Sequence, residues 1–179
     1  MTAFPKGKIY TAEDLENIPE GTRAELIDGS LYMLAAPSRK HQRISGRLHT
    51  AIDNYITDHH GNCETYTAPF DVNLFSDNSV IVQPDVLVCC DPSKFTEKGL
   101  DGAPDWIIEI TSPGTFEQDY YRKLMLYQGA GVKEYWIINP QEENVSVYVF
   151  PRQYKTWSFS DFIPVSVYPG FSIRINDLL

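Results

Sequence analysis

Val80-Ile81-Val82-Gln83-Pro84-Asp85-Val86-Leu87-Val88-Cys89-Cys90 and, further on, Asp105-Trp106-Ile107-Ile108-Glu109-Ile110-Thr111 are the two stretches whose reading decides the fold. Both are short apolar runs of the kind that form buried strands. Pro84 has no N–H to give to a ladder, so the first strand must break or bulge there. Asp85 follows that break, and Glu109 stands at the end of the second run. Neighbouring strands would bring the two carboxylates to one cation although they are far apart in sequence. Such oxygen ligands suit magnesium or manganese, which keep waters and accept only a few protein carboxylates. Taken singly, either acid reads equally well as a solvated strand end.

The segment after Thr111 supplies a third group. Ser112-Pro113-Gly114-Thr115 turns into a helix, with Thr115 and Gln118 spaced as a capping box, and Leu124, Leu126 and Tyr127 carry it until Gly129 and Gly131 end it. Lys123 on this helix places a cation near the two acids. Asp119 and Tyr127 lie four residues either side of it on one face, where they either hold the ammonium or pack beside it. Lys133 to Asn139 reads as a strand, Val145 to Val149 as another, and Tyr154 to Phe159 pairs back on it. Val165 to Ile175 adds one or two strands around Pro169-Gly170.

Upstream, Thr11 and Asp14 resemble a capping box opening a short helix that stops before Pro19. Ala24-Glu25-Leu26-Ile27, then Asp28-Gly29, then Ser30 to Leu34 is a hairpin signal. Between Ser38 and His59, Ile44, Leu48, Ile52, Tyr55 and Ile56 recur at helical spacing, so one face is buried. Phe70, Val72 and Leu74 alternate as in a half-buried strand. The class is α+β, a mixed β-sheet flanked by helices with extra β-hairpins. A chain of 179 residues without repeat or linker is expected to form a single domain over residues 1–179.

The 42% hydrophobic content argues against disorder, and no apolar run is long enough for a membrane span. Met1 to Lys8 lacks the apolar core of a signal peptide. Cys63, Cys89 and Cys90 are odd in number, show no CxxC or zinc spacing, and include a neighbouring pair of a kind that rarely bridges. A reducing cytoplasm fits that pattern. The net charge of −9 counts against a polyanion as partner, although Arg39, Lys40, His41, Arg43 and Arg47 lie together with no acid among them. That run is either a local phosphate-facing patch, with Arg43 and Arg47 on one helical face, or a solvated surface. His41 near a helix start either contacts a phosphate or caps and packs. Gln83, beside Pro84-Asp85, is a candidate for lining the cleft. His49, His59 and His60 read as surface residues, and Trp106, Trp136 and Trp157 as core.

The strand–strand–helix–strand order around Asp85, Glu109 and Lys123 resembles the PD-(D/E)xK nuclease superfamily. More closely, the chain is similar to the restriction-endonuclease-like family found as short stand-alone bacterial proteins. The matching segments are Ala24 to Gly29, Ser38 to Gln42 around His41, Gln83-Pro84-Asp85, and Pro104 to Pro140 with Glu109-Ile110-Thr111-Ser112-Pro113, Asp119, Lys123, Tyr127 and Gly131 to Trp136. The resemblance implies a restriction-endonuclease-like core and hydrolysis of phosphodiester bonds, with DNA ahead of RNA as partner. It implies Asp85, Glu109 and the Ile110 carbonyl as ligands of magnesium or manganese, and Glu25 as an upstream acid that orients water or a second ion. Thr111 stands where the motif has lysine, so Lys123 would have to reach in from the helix. His41, Gln83, Arg43 and Tyr127 are the candidate substrate contacts, and a homodimer is expected for double-strand cutting.

Three functions stay open on these residues: a metal-dependent endonuclease, a nucleic-acid-binding or regulatory module without catalysis, and a glycosidase using Asp85 and Glu109 as acid and base. Thr111 and the acidic balance favour the second. Pro84-Asp85 followed by a lysine-bearing helix favours the first over the third.

Overall fold

The computed structural model describes residues 7–112 and 116–179, with the side chains of 116–120 excepted. After α1 (Ala12–Glu16), whose Thr11–Asp14 capping box is formed as expected, β1 (Ala24–Ile27) and β2 (Ser30–Met33) make the hairpin. Its turn puts Asp28 and Gly29 at φ 46° and 74°, the left-handed pair that a tight two-residue hairpin demands. Ser38 caps α2 (Arg39–Asp58), which buries Ile44, Leu48, Ile52 and Ile56, one residue per turn on a single face.

Then come β3 (Glu64–Thr67), β4 (Asp71–Asn73), β5 (Val80–Val82), β6 (Val86–Cys89), β7 (Phe95–Thr96), β8 (Gly99–Asp101) and β9 (Trp106–Ile110). The chain continues through α3 (Phe116–Ala130), β10 (Glu134–Asn139), β11 (Asn144–Val149) and β12 (Gln153–Ser158) to a small hairpin, β13 (Ile163–Pro164) and β14 (Ser172–Ile173). The expected capping box at Thr115 lies outside the described residues. Gly129 falls inside α3, and Gly131, at φ 92°, follows its end.

Two mixed six-stranded sheets result. One runs β2-β1-β5-β4-β8-β7, the other β12-β11-β10-β9-β6-β3. The break expected at Pro84 is larger than a bulge: β5 belongs to the first sheet and β6 to the second. Gln83-Pro84-Asp85 is therefore the point where the chain passes between sheets.

The second sheet separates two cores. Trp106, Ile108, Trp136 and Ile138 on one face pack with Ile44, Leu48 and Ile52 of α2 and with Ile163, Val165 and Ile173 of the tail. Ile107, Tyr135 and Ile137 on the other face pack with Tyr127 of α3 and with Val72, Val82 and Leu100 of the first sheet. Strand alternation explains the split and why these strands are apolar throughout. Trp157 is only half-buried, with the Lys155 ammonium 3.4 Å above its ring.

The cysteine reading is corrected. Cys63 and Cys90 form a disulfide, and Cys89 is the free, buried thiol. Antiparallel pairing of Glu64 with Cys89 sets Cys63 directly across from Cys90, a proximity that sequence spacing does not reveal. The compartment argument drawn from unpaired cysteines falls with it. No described helix is long and apolar enough to cross a membrane.

Gly99 marks a close approach between β4 and β8. Its φ is 152°, and a Cβ there would collide with the Asp71 carbonyl oxygen, backbone that cannot swing aside. Gly99→Ala should therefore cost about 2 kcal/mol or more in urea unfolding, whereas Gly46→Ala, in open space on α2, should be neutral or stabilising.

Candidate active site

β6 and β9 are antiparallel neighbours, with Val86 opposite Ile108. One step beyond that register, Asp85 faces the end of β9, and its Oδ2 accepts the Ile110 N–H at 2.7 Å. The same oxygen takes His41 Nε2 at 3.0 Å, so a strand and α2 together aim this carboxylate. Glu109 stands one residue before Ile110 and uses Oε1, which accepts Lys123 Nζ at 2.9 Å and the Tyr127 hydroxyl at 2.8 Å. Lys123 also donates to Glu25 Oε1 at 2.8 Å. Asp85, Glu109, Glu25, Lys123 and His41 all line one cleft of about 540 Å³, whose far wall is the run from Leu31 to Pro37.

Charges explain the geometry. Burial raises the Glu109 carboxyl, Lys123 opposes it and Asp85 and Glu25 add to it, which together leave the group raised to about 7. Burial acts to lower the Lys123 ammonium, but Glu109 and Glu25 outweigh it and hold Lys123 charged, well above the ordinary lysine range. Burial likewise lowers His41, and Asp85, Glu109 and the Ile110 backbone overcome it, leaving the imidazole raised. Among the described residues, the buried His41 Nδ1 has no hydrogen-bond partner.

The residues present fit a hard divalent cation. Asp85 and Glu109 each commit one oxygen to positioning, and among the described residues the other oxygen of each has no hydrogen-bond partner. The Ile110 carbonyl adjoins them. Among the described residues no three His, Cys, Asp or Glu side chains form a ready-made cage. Two carboxylates, a backbone oxygen and waters are the smaller set that magnesium accepts.

Other candidates are placed differently from the expectation. Tyr127 is fully buried with its hydroxyl on Glu109, a placement that suits orienting that carboxylate rather than meeting a substrate. Arg43 is exposed outside the cleft, its guanidinium on the Leu179 carbonyl at 2.9 Å, because the α2 face bearing Gln42, Ser45 and Gly46 is the one that lines the cleft. Gln83 does line it, but both ends of its amide are taken, by Arg23 and Asp71. Glu25 is 3% exposed, with Oε1 shared by Lys123 and the Gln83 N–H, which suits holding the lysine rather than orienting water. Lys123 is buried, not a surface residue, and the side chain of Asp119 lies outside the described residues. The Thr111 hydroxyl is turned to the Ile138 carbonyl. His49 is half-buried, with Nε2 3.1 Å from the Thr65 carbonyl oxygen. Sequence reasoning misses Arg23, although it stands two residues before Glu25, just ahead of the matched hairpin.

Residues 11–176 match the Uma2 family, described as "Putative restriction endonuclease". The chain belongs to that family. Among curated proteins it is 26% identical over 125 residues to the uncharacterized protein slr1290 of Synechocystis sp., a match covering 69% of this chain and 64% of that protein, less than two thirds of its length. Among solved structures it resembles one from Anabaena variabilis ATCC 29413, described as "a putative nuclease belonging to DUF820", with a TM-score of 0.76 and 22% identity over 94% of this chain and 96% of that one. That likeness shows that the two chains share a fold.

Removing Lys123 leaves Glu25 and Glu109 buried without a counter-charge. Lys123→Met should lower stability by about 3–5 kcal/mol in urea unfolding at neutral pH. Tyr127→Phe, which deletes one hydrogen bond, should cost about 1 kcal/mol.

Glu109 has a folded pKa raised above its unfolded value, so its stabilising contribution is complete below about 4.5 and is lost as pH rises through about 7. Glu109→Gln, which cannot ionise, should therefore gain on the parent as pH rises from about 5 to about 8 without metal, read as a widening difference in Tm.

Proposed function

We propose that this protein is a metal-dependent endonuclease that hydrolyses phosphodiester bonds in DNA. The observation that carries the reading is the pairing of Asp85 and Glu109 at adjoining strand ends, with Lys123 buried against the second. DNA is the substrate the family description points to. Asp85, Glu109 and the Ile110 carbonyl would hold magnesium or manganese. Such a cation, when bound, lowers the pKa of a coordinated water and relieves charge on the attacking and leaving oxygens.

The chain's own residues do the rest. The Ile110 N–H and His41 fix the Asp85 carboxylate before substrate arrives. Tyr127 and Lys123 fix Glu109, and the Lys123 ammonium supplies the charge that Thr111 cannot. Positive charge placed beforehand where negative charge develops needs no reorganisation during reaction. Glu25 keeps the ammonium in that position. Cutting both strands would be met by a homodimer about a two-fold axis.

The reading of a non-catalytic module of the same fold draws on Thr111 and on the net charge of −9. Lys123 beside Glu109 weighs against the first argument and leaves the second. Asp85→Asn decides between them. It should abolish nicking of plasmid DNA in magnesium or manganese and weaken manganese binding in calorimetric titration. A parent that binds manganese yet leaves plasmid intact would favour the module, and unchanged manganese affinity in the variant would exclude Asp85 as ligand.

A further inference from the structure

Arg23 takes no part in the chemistry above, yet it lines the same cleft as Glu25, Asp85, Glu109 and Lys123. Its backbone carbonyl accepts the Leu34 N–H at 2.9 Å, which fixes its place beside the end of β2. Its Nε donates to Gln83 Oε1 at 2.9 Å. Gln83 is itself held twice, its Nε2 on Asp71 Oδ1 at 2.8 Å and its backbone N–H on Glu25 Oε1 at 3.0 Å. The amide must therefore turn its oxygen towards the arginine.

Tethered by Nε alone, the guanidinium keeps its outer edge open. Among the described residues neither Nη1 nor Nη2 has a hydrogen bond or an ion pair. Lys123, the other lysine or arginine lining the cleft, is held by two carboxylates. Arg23 is thus the guanidinium or ammonium of this cleft that no described carboxylate neutralises. A half-buried, pre-oriented fork of two N–H groups is the geometry that receives a phosphate bidentately.

We propose that Arg23 anchors a backbone phosphate of the DNA next to the one being cut, with Gln83 as its positioning residue. The proposal rests on the nuclease reading. Glu25, Asp85 and Glu109 give the cleft more negative than fixed positive charge, so a further, unreacting phosphate needs a cation of its own. Anchoring a part of the substrate that does not react is uniform binding, which appears in KM rather than in kcat.

The test uses the whole chain with labelled duplex DNA, binding measured in calcium and cleavage in manganese. Arg23→Gln should raise KM and the DNA Kd about tenfold or more, the scale of a charge-assisted hydrogen-bonded contact, with kcat nearly retained. The slope of log Kd against log salt should shrink by about one phosphate contact. Manganese affinity should be unchanged. Gln83→Met keeps the charge and frees the fork, so KM should rise less and the salt slope should match the parent's. Should Arg23→Gln not fold, as thermal unfolding would reveal, Arg23→Lys serves instead: its salt slope should be the parent's and its KM raised. Parent-like KM and slope in Arg23→Gln, or a fall in kcat at constant KM, overturns the anchor alone. A parent that neither binds nor cuts DNA removes the nuclease reading and the anchor with it.

Discussion

A single buried ammonium ties this site together. Lys123, on α3, is shared by Glu25 of one sheet and Glu109 of the other. Without it two buried carboxylates would repel across the junction of the sheets; with it the junction is closed by three charges that satisfy one another. Such an arrangement is costly to desolvate and gains little net stability against an apolar replacement. It does fix geometry, because the lysine has one position in which both acids are met.

The rest of the site is arranged around that fixed point. Glu109 is held by lysine and tyrosine on one oxygen, and Asp85 by histidine and a backbone N–H on one oxygen. Each is aimed by groups that do not compete for its second oxygen. Pro84 lets this happen, since a strand running straight on would have kept β5 and β6 in one sheet and Glu25 away from Glu109.

Much of this is legible in the sequence, and for physical reasons. Apolar runs bounded by turn residues mark the strands, and the missing N–H of Pro84 marks the break. The spacing of Ile44, Leu48, Ile52 and Ile56 identifies the buried face of α2. Periodicity says which face is buried but not which exposed edge meets a cleft, so it misplaces Arg43 and passes over Arg23. Nor does it say how far a break carries the chain, or which strands lie side by side. The change of sheet at Pro84 and the Cys63–Cys90 link both depend on pairings made between distant segments. Tyr127 reads as a contact because its helical position beside Lys123 is visible in the sequence, whereas its complete burial is not.

The wall from Leu31 to Pro37 contributes no charged group to the cleft, and its second part, Leu34 to Pro37, is a connection between β2 and the Ser38 cap, outside either regular element. It borders the cleft, while Glu25 and Glu109 stand on strands, Lys123 on a helix and Asp85 in the link before β6, none of which it interrupts. Insertions and deletions are best tolerated in such connections. Diversification of this protein can therefore change what shape of substrate enters without altering the groups that meet it, so that recognition and chemistry are free to evolve at different rates.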